Sequence, residues 1–467
     1  MDYHTLSATQ AYNLLIKNKV TSHELQEALL NRISQKDREL RAFLFTNSEN
    51  PPDSPHSLLA GLPISVKDQF HIEGTPCSFG LSKTIKSNTT APVIETLLKN
   101  GATLIGKTSL PPMAMDFQTS NKLAGICNNP WNVSYTSGGS SGGGATAVAS
   151  GMSFVDIGAD LAGSLRIPAC FCGVYSLLPS EGAISNKGIF LNPEISISHF
   201  ARPGPIAREP EDLLLIWEAL KGPAKNSGGE HDDKWSLNLA IWKEIHELSL
   251  DKEISSKIDS ITEIWQDGGI SLQRDKPGLV DFKECWQLYG QIMGYEISGL
   301  MNPLIRWLTI LSGRTQKKLS PYFFSNVLDG YRRKKDDYQA ALTRKQQIMQ
   351  SAEAFFEKYD AWILPVTCCR VFEHMEPSTE SGLNRSYNEP LLVNNIKINY
   401  LDALTAYTTP ISLIGHPVIT MPIGLDSNGL PVGIQVIGKM DDEHRLIGVV
   451  KRLSMHIKMP VCPSLQD

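Results

Sequence analysis

Apolar positions in the first forty residues recur at helical spacing. Residues 7–19, SATQAYNLLIKNK, begin with Ser7, a residue that favours a helix start, and continue with apolar side chains three or four apart. Thr21 followed by Glu24 forms a capping-box pattern. The sequence therefore predicts two helices within an N-terminal helical segment, residues 1–57.

The pattern changes in residues 58–209, where short β-branched runs separated by glycines alternate with helix-compatible segments. The strand-like runs are GLPISVKD, GATLIGKTS and MSFVDIGAD, and the helical segments are TAPVIETLLKNG and GGATAVASG. Alternation over this distance predicts an α/β fold with a largely buried sheet. We take this region as the core of the protein.

Residues 210–390 have a charged, aromatic-bearing texture that predicts a mainly helical insertion, interrupted by one strand-like run, AWILPV. Strand texture returns in residues 391–467, in HPVITMPIGLDSNGLPVGIQVIG, where Asn428 and Gly429 signal a hairpin turn. A last helix is predicted over DEHRLIGVVKRLSMHI. The simplest organisation is one domain spanning residues 1–467.

Composition is that of a soluble globular protein, with 41% hydrophobic residues, 20% charged residues and a net charge of -5. Nucleic acid is therefore not an expected partner. No segment approaches the roughly 18 apolar residues of a membrane span, and the start does not resemble a secretory signal. We expect a cytoplasmic protein. The eight cysteines lack the C-x2-C spacing of a zinc site, so buried thiols and no metal are expected.

One short motif matches a nucleotide-binding pattern but lacks the sequence context of a nucleotide site. Residues 101–108, GATLIGKT, match the phosphate-binding pattern G-x-x-x-x-G-K-[ST]. The four intervening residues are those of a buried strand, however, and the following SLPP would break a helix. We interpret the segment as a strand and do not expect nucleotide binding.

A second glycine-rich stretch, residues 137–144, reads SGGSSGGG. Its flanks look structured, which disfavours a flexible linker, and its spacing does not meet the dinucleotide pattern G-x-G-x-x-G. What remains is a backbone that needs glycine on both sides of Ser140 and Ser141. Such a constraint points to a functional site.

Residues 160–169, DLAGSLRIPA, follow an apolar strand and present Ser164 in a tight turn. Successive amides of residues 161–164 could converge as an oxyanion hole. No histidine lies near these motifs, but a desolvated lysine can serve as a base. Lys67 ends an apolar strand where burial is plausible, although most lysines at such positions lie at the surface.

Together these motifs resemble the amidase signature family, which includes fatty acid amide hydrolase, malonamidase and relatives of the glutamyl-tRNA amidotransferase A-subunit. The resemblance extends over GLPISVKD, MDFQTSNKLAGICNNPWN, residues 138–169, FCGVYSLLPSEG, ARPGPIAR and the C-terminal HPVITMPIG and GLPVGIQVIG. The spacing from Ser140 to Ser164, 24 residues, also agrees. The resemblance implies a large mixed β-sheet covered by helices on both faces.

The resemblance also implies roles for individual residues. Ser164 would be the nucleophile, Ser140 the serine that precedes a cis peptide and relays a proton, and Lys67 the base. The remaining implied positions are the oxyanion-hole residues Leu161, Ala162, Gly163 and Ser164, the supporting residues Ser141, Asp160 and Arg166, and the substrate-binding residues Met115, Asp116, Gly138 and Gly139. No cofactor is implied, the substrate is a small amide, and a homodimer is compatible with the resemblance.

Three residues depart from the family pattern. Ala159 and Ala162 replace the usual Thr and first Gly of T-D-x-G-G-S, and Ser137 replaces the usual Pro before the Gly pair. If residue 162 needs a positive φ, alanine there costs about 1 kcal/mol; if not, the oxyanion hole is only narrowed.

Several functions remain open at this point. The leading one is hydrolysis of a carboxylic amide through a Ser164 acyl-enzyme, and the alternative transfers the same acyl group to an amine, as an amidotransferase subunit or amide-forming enzyme. A non-catalytic family member and a nucleotide-using enzyme come last. Aromatic and apolar residues of the insertion could line an apolar pocket, but helix packing is the favoured interpretation for most of them; these are Trp286, Tyr289, Met293, Tyr295, Trp307, Tyr322, Phe323 and Phe324.

Overall fold

The computed structural model describes residues 2–51, 57–197, 199–223, 236–313, 318, 320–381 and 384–466. Their centre is a mixed sheet of eleven strands, which confirms the predicted α/β fold. In chain order the strands are β1 (Phe43–Thr46), β2 (Pro63–Lys67), β3 (Thr103–Thr108), β4 (Val155–Asp160), β5 (Tyr175–Leu178), β6 (Arg202–Ala207), β7 (Asn238–Ile241), β8 (Ser271–Arg274), β9 (Ala361–Pro365), β10 (Val418–Leu425) and β11 (Pro431–Ile437).

Across the sheet the strand order is β1-β3-β2-β4-β6-β5-β10-β11-β9-β7-β8. Strands β3, β2 and β4 run parallel to one another, as do β9, β7 and β8 at the far end. The pairs between these two groups are antiparallel. The parallel trio β3-β2-β4 brings the carboxyl ends of three strands to one edge, where functional side chains commonly gather.

Fifteen α-helices surround the sheet in the described part of the chain. They are α1 (Ala8–Ile16), α2 (Ser22–Leu40), α3 (Pro92–Lys99), α4 (Gly142–Ala149), α5 (Arg166–Cys172), α6 (Pro210–Lys221), α7 (Lys252–Asp267), α8 (Phe282–Gly299), α9 (Pro303–Ser312), α10 (Phe324–Gly330), α11 (Lys335–Phe356), α12 (Tyr400–Thr405), α13 (Thr408–Ile414), α14 (Glu443–Ser454) and α15 (Pro463–Gln466). The predicted N-terminal caps are confirmed, because Ser7 and Thr21 both make capping boxes.

Side chains on the central strands alternate between two apolar clusters, one on each face of the sheet. Ile64 and Val66 of β2 belong to the cluster that also contains residues of α2, α3 and α14. Ser65 and Lys67 point to the opposite face, where α4 begins. The period-two pattern of β2 thus places one lysine beside the glycine-rich segment.

The insertion is less purely helical than the sequence predicts. Besides β9, which was expected, it contributes β7 and β8, so that it completes one end of the main sheet. β8 is a mostly exposed edge strand, and its polar residues give no apolar alternation to detect. Residues 224–235, 314–317, 319 and 382–383 of the insertion lie outside the described residues.

Smaller elements complete the structure. Two-stranded hairpins pair Pro76–Cys77 with Ile85–Lys86, Ser120–Asn121 with Gly125–Ile126, Thr379–Ser381 with Asn384–Ser386, and Leu391–Val393 with Ile396–Ile398. The eight cysteines are buried free thiols, as expected. In the part of the chain that is described, none of the helices has the length and apolar character needed to cross a membrane.

Candidate active site

Lys67, the last residue of β2, is fully buried. Its Nζ makes hydrogen bonds with Ser140 Oγ at 2.7 Å and with Ser141 Oγ at 3.0 Å. The alternative of a surface lysine is therefore wrong. Burial lowers the pKa of Lys67 to about 7, although the charges of Asp156 and Asp160 act in the opposite direction. An amine with this pKa can both accept and release a proton near neutral pH.

The two serines directly precede α4, whose first residue is Gly142. The peptide between Gly139 and Ser140 is cis. The expectation that Ser140 precedes the cis bond is therefore wrong by one peptide, because the bond lies on its N-terminal side. A Cβ at Gly139 would come within 2.8 Å of the backbone of Asp116, so glycine is required for this close approach.

Asp160, at the end of β4, holds the following turn in place. Its Oδ1 accepts the Gly163 amide at 2.7 Å, and its Oδ2 accepts the Leu165 amide at 3.0 Å. Burial alone would raise the pKa of Asp160, but the charge and hydrogen bonds of Arg166 outweigh it and leave the pKa below its ordinary value. Asp160 is thus a carboxylate that organises the turn around Ser164.

Arg166 is fully buried, and each of its guanidinium N–H groups has an acceptor. Nε and Nη2 donate to Asp160 at 3.1 and 2.9 Å. The other acceptors are Thr408 O, Gln435 Oε1 and Ser412 Oγ, at 2.8, 2.8 and 2.7 Å. The guanidinium therefore ties the turn after β4 to α13 and β11.

The amides of the turn divide into two groups. The Gly163 amide is already bound to Asp160, whereas those of Leu161, Ala162 and Ser164 donate to no residue that the structure describes. Gly163 has a φ of 128°, which glycine adopts readily, while Ala162 is not among the residues with positive φ. The sequence concern about strain at residue 162 is resolved, since its alanine occupies an ordinary conformation.

Ser164 lies between this turn and α5, with 7% of its surface exposed. Its hydroxyl has no hydrogen-bond partner among the described residues, but its carbonyl accepts the Ser141 amide at 3.1 Å. This bond joins the two glycine-rich segments, so the structure brings Lys67, Ser140 and Ser164 into one site. A hydroxyl without a partner is available to react with a ligand.

The residues expected to bind substrate lie beside this site. Met115 is half exposed, and Gly138 packs against Pro168. Asp116 is buried, and both carboxylate oxygens accept tyrosine hydroxyls, from Tyr387 at 2.5 Å and from Tyr400 at 2.8 Å. Its carboxylate is therefore committed to the protein.

Sequence reasoning missed three residues that contact this region. Asp156 is a buried carboxylate on the same face of the sheet as Lys67, and Thr408 donates to Ala162 O at 2.6 Å. Tyr289, considered as a pocket or helix-packing residue, donates from its hydroxyl to Leu161 O at 3.0 Å. The detectable signal for Asp156 was a single charged residue inside the apolar run SFVDIG.

The other sequence expectations have mixed outcomes. Trp286 and Met293 are buried in helix packing, as favoured, whereas Trp307 is 56% exposed. The segment that matches the phosphate-binding pattern forms strand β3, which is buried along its whole length. Lys107, the lysine of that motif, bonds to the carbonyls of Phe70 and Pro76. It is therefore committed to holding the loop after β2.

The chain is similar to known proteins over nearly its whole length. The sequence profile of the family described as Amidase matches residues 21–447. The A-subunit of the glutamyl-tRNA(Gln) amidotransferase of Halothermothrix orenii is 26% identical over 98% of this chain and 98% of that protein. The solved structure of 6-aminohexanoate cyclic dimer hydrolase has a TM-score of 0.78 at 22% identity, covering 99% of both chains.

A bacterial aryl acylamidase of the amidase signature family has the same fold, with a TM-score of 0.78 at 20% identity over 98% of this chain and 97% of that one. Structural likeness at this identity establishes the fold, and the profile match covers most of the sequence. The chain belongs to the amidase family, the amidase signature enzymes.

Proposed function

We propose that the protein hydrolyses the C–N bond of a carboxylic amide through an acyl-enzyme formed on Ser164. The observation that carries this proposal is the short contact between Lys67 Nζ and Ser140 Oγ, 2.7 Å, at a site where Ser164 has an uncommitted hydroxyl. The family membership supports the class of reaction.

In the first half-reaction Ser164 Oγ attacks the amide carbonyl carbon. The Ser164 proton passes to Ser140, whose own proton passes to the neutral amine of Lys67. The negative oxygen is stabilised by the amides of Leu161, Ala162 and Ser164, at several kcal/mol for a set of aligned donors. The Gly163 amide is not one of these donors, because it donates to Asp160. Gly163 instead helps to hold the turn in its conformation.

The tetrahedral intermediate then collapses and the C–N bond breaks. The leaving nitrogen takes a proton from Ser140, which is recharged by the Lys67 ammonium, so Lys67 returns to its neutral form. Water then attacks the Ser164 ester, aided by the same relay, and releases the carboxylic acid. No proton is lost or gained by the protein over the full cycle.

The first experiment is intact-mass spectrometry with peptide mapping after exposure to a fluorophosphonate. We expect one adduct, on Ser164, which is absent in Ser164→Ala and formed orders of magnitude more slowly in Lys67→Ala. Lys345→Met is the matched control, because Lys345 is a buried lysine that pairs with Glu181 instead of a serine. Absence of an adduct on folded wild-type protein would contradict the proposal and favour a non-catalytic role.

An amidotransferase function is the second candidate, and the name of the Halothermothrix orenii relative favours it. The acyl-enzyme would be the same, but ammonia or an amine would replace water as acceptor. Supplying a reactive amide together with an amine and comparing acid with new amide separates the two functions. If only the acid forms in the presence of millimolar amine, the protein is a hydrolase. If the new amide is the main product, it is a transferase.

A further inference from the structure

Asp156 is a fully buried carboxylate in the interior of β4. Its Oδ1 accepts the hydroxyls of Ser65 at 2.7 Å and Thr108 at 2.9 Å. Its Oδ2 has no hydrogen-bond partner among the described residues. A carboxylate in this state is costly to bury, and an apolar side chain would fit the pattern of a central strand better.

The position of Asp156 relates it to the catalytic lysine. Ser65, two residues before Lys67, is its register partner between β2 and β4, and Thr108 is the register partner of Lys67 between β3 and β2. These side chains share the face of the sheet on which α4 begins. A Cβ at Gly144 of α4 would overlap Asp156 Oδ2, so the helix leaves room for the carboxylate.

Among the residues that the structure describes, few charged groups surround Lys67. The carboxylates that act on it are Asp156 and Asp160, both from β4, and Asp160 is already paired with Arg166. In the part of the chain that is described, Asp156 has no ion-pair partner within 4.0 Å, and Lys67 is the cation that acts on it. Its negative charge is therefore directed at the lysine without a competing guanidinium.

We propose that Asp156 is an electrostatic positioning residue, which lets the buried Lys67 retain a proton long enough to return it to Ser140. This inference rests on the proposed function of Lys67 as the base. Burial weakens a lysine as a base, and an amine with too low a proton affinity cannot take the hydroxyl proton effectively. The nearby carboxylate opposes that weakening. Burial raises the pKa of Asp156 to about 6 although the hydroxyls of Ser65 and Thr108 act in the opposite direction, so the carboxylate is mostly ionised at the pH where Lys67 titrates.

The test is the pH dependence of fluorophosphonate labelling at Ser164 in wild type and Asp156→Asn, which is isosteric and keeps an acceptor for Ser65 and Thr108. With the pKa of Lys67 near 7, the wild-type rate at pH 6 should be about one tenth of that at pH 8. We expect the ratio of the rate at pH 6 to the rate at pH 8 to rise about fivefold in Asp156→Asn. This corresponds to a pKa of Lys67 that is lower by about one pH unit. The plateau rate at pH 8 should fall.

Two further variants keep the test sharp. Asp212→Asn is the matched control, because Asp212 is also a fully buried carboxylate. Its Oδ1 accepts a hydrogen bond from the Thr9 amide, and its Oδ2 has no hydrogen-bond partner among the described residues. It should leave the pH ratio unchanged. Ser65→Ala should shift the ratio in the same direction as Asp156→Asn, and the double variant should match Asp156→Asn alone, since Ser65 acts through the carboxylate.

The outcomes separate the two proposals. No labelling of wild-type Ser164 would overturn the proposed function itself. Normal wild-type labelling with an unchanged pH ratio in folded Asp156→Asn would overturn only the role of Asp156. A lower melting temperature with no shift of the ratio would assign Asp156 a purely structural role.

Discussion

Replacing Arg166 tests how the turn that presents Ser164 is held. The guanidinium is fully buried and makes side-chain hydrogen bonds to Asp160, Thr408, Gln435 and Ser412. Arg166→Met would leave the Asp160 carboxylate buried without its counter-charge, a loss of about 3–5 kcal/mol. Arg166→Lys keeps the charge but has at most three donors, so at least two charged hydrogen bonds are lost, about 3 kcal/mol.

The assay is thermal unfolding monitored by calorimetry. A chain of 467 residues has an unfolding entropy near 1 kcal/mol/K, so 3–5 kcal/mol corresponds to a fall in Tm of about 3–5 °C. Arg274→Met is the matched control, because Arg274 also pairs with a carboxylate, Glu244, but is 65% exposed. It should lower Tm by less than about 1 °C.

The effect of Arg166→Met should depend on pH in a defined direction. In the folded wild type the pKa of Asp160 is depressed, so its stabilising contribution is present above the unfolded pKa and is lost on acidification. Without Arg166, burial would raise that pKa, and ionisation would destabilise the variant as pH rises. The Tm difference should therefore be larger at pH 7 than at pH 4. Equal Tm values for wild type and Arg166→Lys, with normal labelling of Ser164, would refute this reasoning.

Three further predictions concern the same site. The rate of Ser164 labelling in wild type should rise about tenfold from pH 6 to pH 8 and then level off, because the pKa of Lys67 is about 7; a log-linear rise through pH 9 would contradict this. Ser141→Ala should slow labelling less than Lys67→Ala, since Lys67 keeps its bond to Ser140, and stopped-flow rates of the two variants compare them directly. Gly163→Ala should reduce labelling and lower stability by about 1–3 kcal/mol, because residue 163 has a φ of 128° and a Cβ would come within 2.8 Å of the Ile167 side chain; an unchanged melting curve would be the contrary result.

Much of the core could be predicted because its signals are local. The capping box at Thr21, the strand ending at Lys67 and the hairpin at Gly429 each depend on a few neighbouring residues. The burial of Lys67 could be proposed but not established from its own segment, since it depends on what β3 and α4 place around it. Chemistry at Ser164 was indicated by glycine spacing together with the family resemblance.

What sequence reasoning missed depends on contacts far apart in the chain. Tyr289 bonds to Leu161 across 128 residues, and no local pattern marks such a partner. Strand β8 was not predicted because its residues are mostly polar and exposed and one of its two edges is unpaired. The bond of Gly163 to Asp160 was also unforeseen, because a tight turn can direct its amides either to a ligand or to its own carboxylate.

The strand order of the sheet has a consequence for any attempt to reduce this enzyme to a smaller catalytic unit. Deleting residues 210–390 as a dispensable insertion would remove β7, β8 and β9 together and leave β11 as the outermost strand. β11 is buried along its whole length, so the truncated protein would present a long apolar edge to solvent. Such an edge pairs readily with another chain, and the shortened protein would aggregate. A shortened protein that remains folded must keep β9 (Ala361–Pro365) and an element that covers the unpaired edge of that strand.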